Sequence, residues 1–302
     1  MGKGLSSLPD EIAGMEDLKA LNLSWNHFET IPEVIFQLPN LEALTLDHNH
    51  ISHVDGRVFG MPSLKRLNLS NNLLSEIPGI SADSVCLYHF CADYNSIGIL
   101  PDDFLKKAGS LHSLSLGNNR LETLPSTIGY CKELGILNLS HSRIQGLPGE
   151  IGHLHKLKEL HLQNNQLKEL PPGIGGCKSL ERLIIHENQL ESLPPELFHI
   201  PRLVEVDATL NKLTDLSNCP TELSPIERFL LSRNKFRQFP AELFKLPKLK
   251  HLSLNQNPIF EWPDVDTVNW EPQTLLSILD SPLGDPNNKS SRPDILTPFK
   301  IL

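Results

Sequence analysis

Long apolar runs are missing from this 302-residue chain. Nowhere do about 18 apolar residues stand together, the length a helix needs to cross a bilayer, so no membrane span is expected. Cysteine is sparse: Cys86, Cys91, Cys131, Cys177 and Cys219 contain no Cys-x-x-Cys pair and cluster at neither end, which speaks against a disulfide framework or a structural zinc site. The thirteen histidines include no His-x-x-x-His pattern. A Gly-x-Ser-x-Gly elbow and a paired-acid motif are absent too, so no catalytic residue, cofactor or metal is expected and the chain reads as a non-enzyme. Cations are in the minority, 27 Lys and Arg against 36 Asp and Glu, and the net charge of −9 argues against nucleic acid as a partner. With 39% hydrophobic and 21% charged residues, the composition is that of a soluble folded chain. Met1-Gly2-Lys3-Gly4-Leu5 leads straight into patterned sequence without a signal peptide, so a cytoplasmic location is expected.

What is present is one period. Asparagine recurs at Asn26, Asn49, Asn72, Asn95, Asn119, Asn165, Asn188, Asn211, Asn234 and Asn257, each eight residues after the first position of a Leu-x-x-Leu-x-Leu frame. The frames begin at Leu18, Leu41, Leu64, Leu87, Leu111, Leu134, Leu157, Leu180, Leu203, Ile226 and Leu249, a step of 23 residues with a single 24. Leu-x-Leu alternation is the period of a strand with one covered face. One unit cannot bury its own leucines. Stacked units place Leu21, Leu44, Leu67, Phe90, Leu114, Leu137, Leu160, Leu183, Val206, Phe229 and Leu252 in one buried column. Each such burial is worth about 1.5–3 kcal/mol. Strands stacked in succession, with return segments on the other side, must run parallel with right-handed crossovers.

The asparagine falls where the chain turns sharply after each strand and leaves backbone groups without a ladder partner. A buried amide, with two donors and an acceptor, can bridge its own turn and the next. Ser142 interrupts this column and is too short to make the same bonds, so a weak point or an ordered water is expected there.

A complete unit reads Leu157-Lys158-Glu159-Leu160-His161-Leu162-Gln163-Asn164-Asn165-Gln166-Leu167, followed by Leu170-Pro171 and Ile174. This pattern resembles the leucine-rich repeat family. The Leu-Pro-x-x-Ile filler at Leu8-Pro9, Leu124-Pro125, Leu147-Pro148, Leu170-Pro171 and Leu193-Pro194 is similar to the intracellular 23-residue repeats of Ras-pathway scaffold proteins. The resemblance spans roughly residues 5–263. It implies an α/β fold, a right-handed leucine-rich-repeat solenoid (horseshoe) with a parallel concave sheet of about eleven strands.

The expected organisation is a solenoid over residues 1–263, a C-terminal cap over 264–280 with a short helix around Pro272 to Asp280, and a flexible tail over 281–302. Trp262, Val265, Val268, Trp270, Leu275, Leu276, Ile278 and Leu279 would supply the apolar cover of that cap. Secreted members of the family carry Cys-rich caps, which this chain does not show. Cys131 and Cys177 stand three positions before a frame start, where other units have Met15, Leu38, Met61, Leu154, Ile200 and Leu246, and so belong to the core. The Asn-Leu-Ser sequons at Asn22, Asn68 and Asn138 are products of the strand pattern.

Two decoys dissolve in the register. Gly173-Ile-Gly-Gly-Cys177-Lys178-Ser179 imitates a phosphate loop but shares the phase of Ile128-Gly129-Tyr130-Cys131-Lys132, an ordinary return segment. Among the histidines only His141, His161 and His186 could meet on adjacent strands, too little for a metal site.

Frame positions two, four, six and seven should point out of the sheet. In the first four units they are Ala20, Asn22, Ser24 and Trp25, then Ala43, Thr45, Asp47 and His48, then Arg66, Asn68, Ser70 and Asn71, then His89, Cys91, Asp93 and Tyr94. Trp25, Asp47, His48, Asp93 and Tyr94 read either as a contact patch or as fillers of local space beside the turn. Residues 16–104 carry four cations against twelve acids, a balance of minus eight, while Ile226 to Lys250 carries seven against two, plus five. Arg228, Arg233 and Lys235 would steer a partner from that end.

Two segments, Ile80 to Ser84 and Asp215 to Pro225, lose the return-segment consensus and should be irregular loops, through function or drift alike. At the amino end, Leu5 to Pro9 matches the tail of a repeat without its strand, so the Leu18 unit should have a poorly covered edge. The expected function is a monomeric, non-catalytic scaffold or adaptor binding a protein on its concave face, with small GTPases, phosphatases or kinases as the partner classes the resemblance implies. The alternative is the recognition domain of a larger signalling enzyme: a repeat-bearing kinase, a Roco-type GTPase or an effector ubiquitin ligase.

Overall fold

A computed structural model describes residues 4–80 and 85–260, and residues 275–277 as backbone. The chain forms two compact units, Met1–Leu157 and Lys158–Leu302. In the first, β1 (Ala20–Asn22), β2 (Ala43–Thr45), β3 (Arg66–Asn68), β4 (His89–Cys91), β5 (Ser113–Ser115) and β6 (Ile136–Asn138) pair in sequence order, all parallel. In the second, β7 (Glu159–His161), β8 (Arg182–Ile184), β9 (Glu205–Asp207), β10 (Arg228–Leu230), β11 (His251–Ser253) and β12 (Leu275–Ser277) include the parallel pairs β7–β8, β8–β9, β9–β10, β10–β11 and β11–β12. The register equals the sequence period: Leu44 pairs with Leu67, and Val206 with Phe229.

The leucine column is buried as its spacing requires, from Leu44 through Leu67, Phe90, Leu114 and Leu137 in the first unit and from Leu160 through Leu252 in the second. Leu21 departs from this expectation. It is only half-buried, because β1 has a neighbour on one side alone. Cys131 and Cys177 are fully buried, and burial pushes both thiols up to about 12.

The return segments are mostly single turns of 3₁₀ helix rather than α-helix. Glu33–Gln37, Gly56–Gly60, Ser126–Tyr130, Pro172–Gly176 and Pro195–His199 are examples, and Asp102–Lys107 is an α-helix (α1). A proline commonly stands just before the turn, its φ pre-set and its missing N–H no loss there. Its carbonyl accepts the first bond, as when Ile128 N–H donates to Pro125 O at 3.0 Å. The Gly173–Ser179 stretch is such a return segment, not a phosphate loop. Gly175 lets the neighbouring segment come close, since a Cβ there would sit 2.8 Å from Glu196 Cβ.

Ten asparagines behave as the periodicity predicts. Asn72 Nδ2 donates to Leu46 O and Leu69 O, both at 3.0 Å, and its Oδ1 accepts from Ile51 N–H at 2.9 Å, tying two repeats together. Ser142 makes the expected break: its buried Oγ has no hydrogen-bond partner.

Two expectations need correction. Within Pro272 to Asp280, Leu275–Ser277 is strand β12, not helix: the open edge of β11 offers unpaired backbone groups, and a parallel ladder satisfies them. The other residues expected in the cap and tail, Trp262, Val265, Val268, Trp270 and residues 281–302 included, lie outside the described residues, as do residues 81–84. The Asp215–Pro225 segment is less irregular than its sequence suggests. Thr221–Leu223 makes a 3₁₀ turn, Leu216 and Cys219 fill the vacated core positions, and Thr221 Oγ1 donates to Glu242 O at 2.7 Å.

Candidate functional site

Among the described residues, the turn after each of β1 to β11 has an unusual backbone. Eleven non-glycine residues, Trp25, His48, Asn71, Tyr94, Asn118, His141, Asn164, Glu187, Leu210, Arg233 and Gln256, have φ between 52° and 59°. All occupy frame position seven. A left-handed conformation costs a non-glycine residue about 1–2 kcal/mol, and bulky side chains avoid it. Neighbouring repeats over-determine it. Trp25 N–H donates to Asp47 O at 3.0 Å and Tyr94 N–H to Gly117 O at 2.9 Å, while the next residue is the bridging asparagine. The consequence is a row of side chains, fixed by the fold, along one margin of each unit's sheet.

In the first unit this margin is aromatic. The Trp25 and His48 rings stack 3.7 Å apart at 13°, and His48 Nδ1 lies 2.8 Å from Asp47 Oδ2. Trp25, Asp47 and His48 thus form one assembly, with Ser24 Oγ donating to Asp47 Oδ1. Trp25 remains 60% exposed despite this stack, and Tyr94 is 58% exposed. Tyr94 and Asp93 stand two repeats beyond His48, about 9–10 Å along the ladder at the usual strand spacing. Asp93 Oδ1 accepts from Ser115 Oγ at 2.7 Å and from Gly117 N–H at 2.6 Å. Despite these donors, burial pushes the Asp93 carboxyl above its ordinary range.

The second unit's face is different. Frame position two carries Glu159, Arg182, Glu205 and Arg228 on successive strands, and they pair laterally. Arg182 Nε lies 3.1 Å from Glu205 Oε2, Arg228 Nε 3.3 Å from Glu205 Oε1, and His161 Nε2 3.1 Å from Glu159 Oε2. Arg228 is therefore engaged by Glu205. Arg233, at the turn, donates from Nε to Gln256 Oε1. Lys235 lies beyond the turn and lines a cleft of about 940 Å³ with Asp215, Leu216, Arg237, Phe239 and Phe260. The structure does not gather the three cations into one cluster on the sheet face.

Sequence reasoning missed the left-handed row, which no residue type announces, and the ion row, which was legible as charge alternation every 23 residues. Gln163 occupies frame position six, an outward position. Gln163 is half-buried, and its Oε1 is buried without a partner. Asn22, Asn68 and Asn138 each turn Oδ1 back onto the N–H two residues on, at 2.9, 3.0 and 3.1 Å. Among the described residues no group of three His, Cys, Asp or Glu is placed to hold a metal ion, and no helix is long and apolar enough to cross a membrane.

The family model described as "Leucine rich repeat" matches residues 2–51, 39–97 and 109–167, and that for two-copy "Leucine Rich repeats" matches 155–199. The chain belongs to the leucine-rich repeat family. No curated protein matches it. Among solved structures, this leucine-rich repeat protein is similar to one of Leptospira interrogans at 34% identity and TM-score 0.77, over 86% of this chain and 66% of that one. The functional domain of InlJ from Listeria monocytogenes, which includes a cysteine ladder, aligns at 22% identity and TM-score 0.70, over 88% of this chain and 54% of that one. The plant peptide hormone receptor RGFR1, solved in complex with RGF2, aligns at 19% identity and TM-score 0.65, over 91% and 53%. These last two show the fold alone. The chain spans about two thirds of the Leptospira protein and about half of the other two. Leucine-rich repeat arrays are in general protein-interaction modules and typically non-catalytic.

Proposed function

We propose that this leucine-rich repeat protein is a non-catalytic scaffold or adaptor that binds a protein partner on the solvent-facing side of its sheet, with the aromatic margin of the first unit as the anchor. The carrying observation is the Trp25–His48 stack, which leaves Trp25 60% exposed in a backbone conformation the fold enforces. A rigid exposed aromatic loses little conformational entropy on binding, and such residues dominate interface energetics. In this reading the protein acts as a cytoplasmic monomer, and its resemblance to Ras-pathway scaffolds favours small GTPases, phosphatases or kinases as partners. Arg233 and Lys235 contribute steering, and Arg228 contributes less because Glu205 already holds it.

A second reading is the recognition domain of a larger signalling enzyme such as a repeat-bearing kinase, Roco-type GTPase or ubiquitin ligase, in keeping with a chain that spans 66% of the Leptospira protein. A catalytic domain encoded before Met1 or after Leu302 would decide for it.

The test is affinity capture from a native lysate followed by titration of the captured partner. Trp25→Ala with Tyr94→Ala should weaken binding by at least about 2 kcal/mol, with the thermal melt retained. Tyr130→Ala, exposed on the return side, should change nothing. The opposite ranking would place the interface on the return segments.

A further inference from the structure

Glu42, Asp47 and Asp93 are acids on or beside the strands of the first unit's sheet. Two have a basic side chain beside them. Glu42 lies 3.4 Å from Lys19 and 3.0 Å from Lys65, and Asp47 lies 2.8 Å from His48. Among the described residues Asp93 has no such partner, and no cation is among the influences on its carboxyl. Its Oδ1 is held by Ser115 Oγ and Gly117 N–H, whereas Oδ2 accepts no hydrogen bond among the described residues and is not sealed from solvent.

The surroundings of Asp93 are small and ordered. Ser140 N–H donates to Asn138 Oδ1 at 3.1 Å, Asn138 Nδ2 to Ser115 Oγ at 3.0 Å, and Ser115 Oγ in turn to Asp93 Oδ1. Gly117 lets these groups close in around Asp93. A Cβ there would lie 3.0 Å from Asn138 Nδ2 and Ser140 Oγ and 3.1 Å from Asp93 Oδ1. A half-buried carboxylate, fixed through one oxygen and presenting the other, is the geometry of a pre-organised cation receptor. The exposed ring of Tyr94 stands next to it in the chain.

We propose that the niche formed by Asp93, Ser115, Gly117, Asn138 and Ser140 receives one lysine or arginine side chain of the partner, so that the surface recognises a basic segment of a protein. Charge complementarity selects this occupant: residues 16–104 sum to minus eight, and the niche contains no cation of its own. An incoming ammonium or guanidinium group supplies the donors that Oδ2 lacks and offsets the desolvation that pushes the carboxyl up. The inference deepens the sheet-face reading above and rests on it.

A random-peptide phage library panned on the full chain tests it. Enriched peptides should share a Lys or Arg, and a fluorescent synthetic copy should bind at least about tenfold more weakly to Asp93→Asn, which keeps the acceptor for Ser115 and Gly117 but removes the charge. Gly117→Val, which forces Asn138, Ser140 and Asp93 apart, should have a similar effect, and Lys→norleucine in the peptide should match Asp93→Asn. Melts of the variants check that the fold is kept. Enriched peptides without a basic residue, failure to enrich any basic peptide, or binding within twofold for Asp93→Asn while Trp25→Ala with Tyr94→Ala abolishes it would overturn the cation receptor and leave the sheet-face reading standing. Peptides indifferent to all of these changes but lost on Tyr130→Ala would overturn both.

Discussion

The two units run the same backbone ladder and use their solvent faces in opposite ways. In the second, Glu159, Arg182, Glu205 and Arg228 satisfy one another across neighbouring strands, so the charge there is spent internally. In the first, Trp25 and Tyr94 stand exposed, and Asp93 keeps one carboxylate oxygen without a partner among the described residues. The ion row is electrostatically closed and Asp93 is open. Because a repeat stacks equivalent positions roughly 4.8 Å apart, whether a charge is closed or open depends on the residue one period away. Interaction capacity is therefore set by the mismatch between neighbouring repeats and not by the consensus.

The largest effect should be one the units share. Asn72→Ala in the first and Asn188→Ala in the second each strand backbone groups that the amide bridges, and each should lower unfolding free energy by about 1–3 kcal/mol in denaturant melts. Gln163→Ala should stay within about 0.5 kcal/mol, since its Oε1 bonds nothing. Equal midpoints for Asn188→Ala and Gln163→Ala would contradict the interior column.

A smaller effect separates the faces. Glu205→Gln breaks the ion row and should destabilise by about 0.5–1 kcal/mol, less at high salt because both arginines are half exposed. Asp93→Asn should do the reverse. A carboxyl whose folded-state pKa is raised favours the fold only at low pH and loses that benefit as pH rises through the folded value, so at neutral pH the ionised group is a cost that Asn removes. Melts at pH 7 in low and high salt read both signs, and destabilisation by Asp93→Asn would erase the contrast.

The smallest expected effect is none. All five cysteines are free thiols, and reductant should leave the melting temperature unchanged. Alkylation at pH 8 followed by mass mapping should label exposed Cys86 first and half-buried Cys91, pushed up to about 11, more slowly. Cys131 and Cys177, pushed up to about 12, should react only after unfolding. A native Cys–Cys crosslink would refute this.

Most of the fold was legible because its determinants are one-dimensional. A 23-residue spacing puts Leu44 beside Leu67 and Asn49 beside Asn72 whatever else the chain does, and the structure has both pairs in register. Legibility failed at the ends and at the site. Leu21 obeys the pattern but lacks the neighbour that would bury it. Leu275–Ser277 carries helix-compatible residues yet becomes a strand because the β11 edge is there to pair with. Trp25 and Tyr94 were recognisable as outward-facing, and Asp93 as an acid near them, but nothing in their order said which carboxylate would find a cation.

The sequence by itself determined the repeat, the parallel register, the leucine and asparagine columns and the face each side chain occupies, because these follow from position within a fixed period. Tertiary structure alone decided that residues as unlike as Trp25, Leu210 and Arg233 share a left-handed backbone, and that Glu205 is matched while Asp93 is not. Those outcomes depend on which atoms of a neighbouring repeat lie within hydrogen-bond reach, a distance that no single repeat encodes.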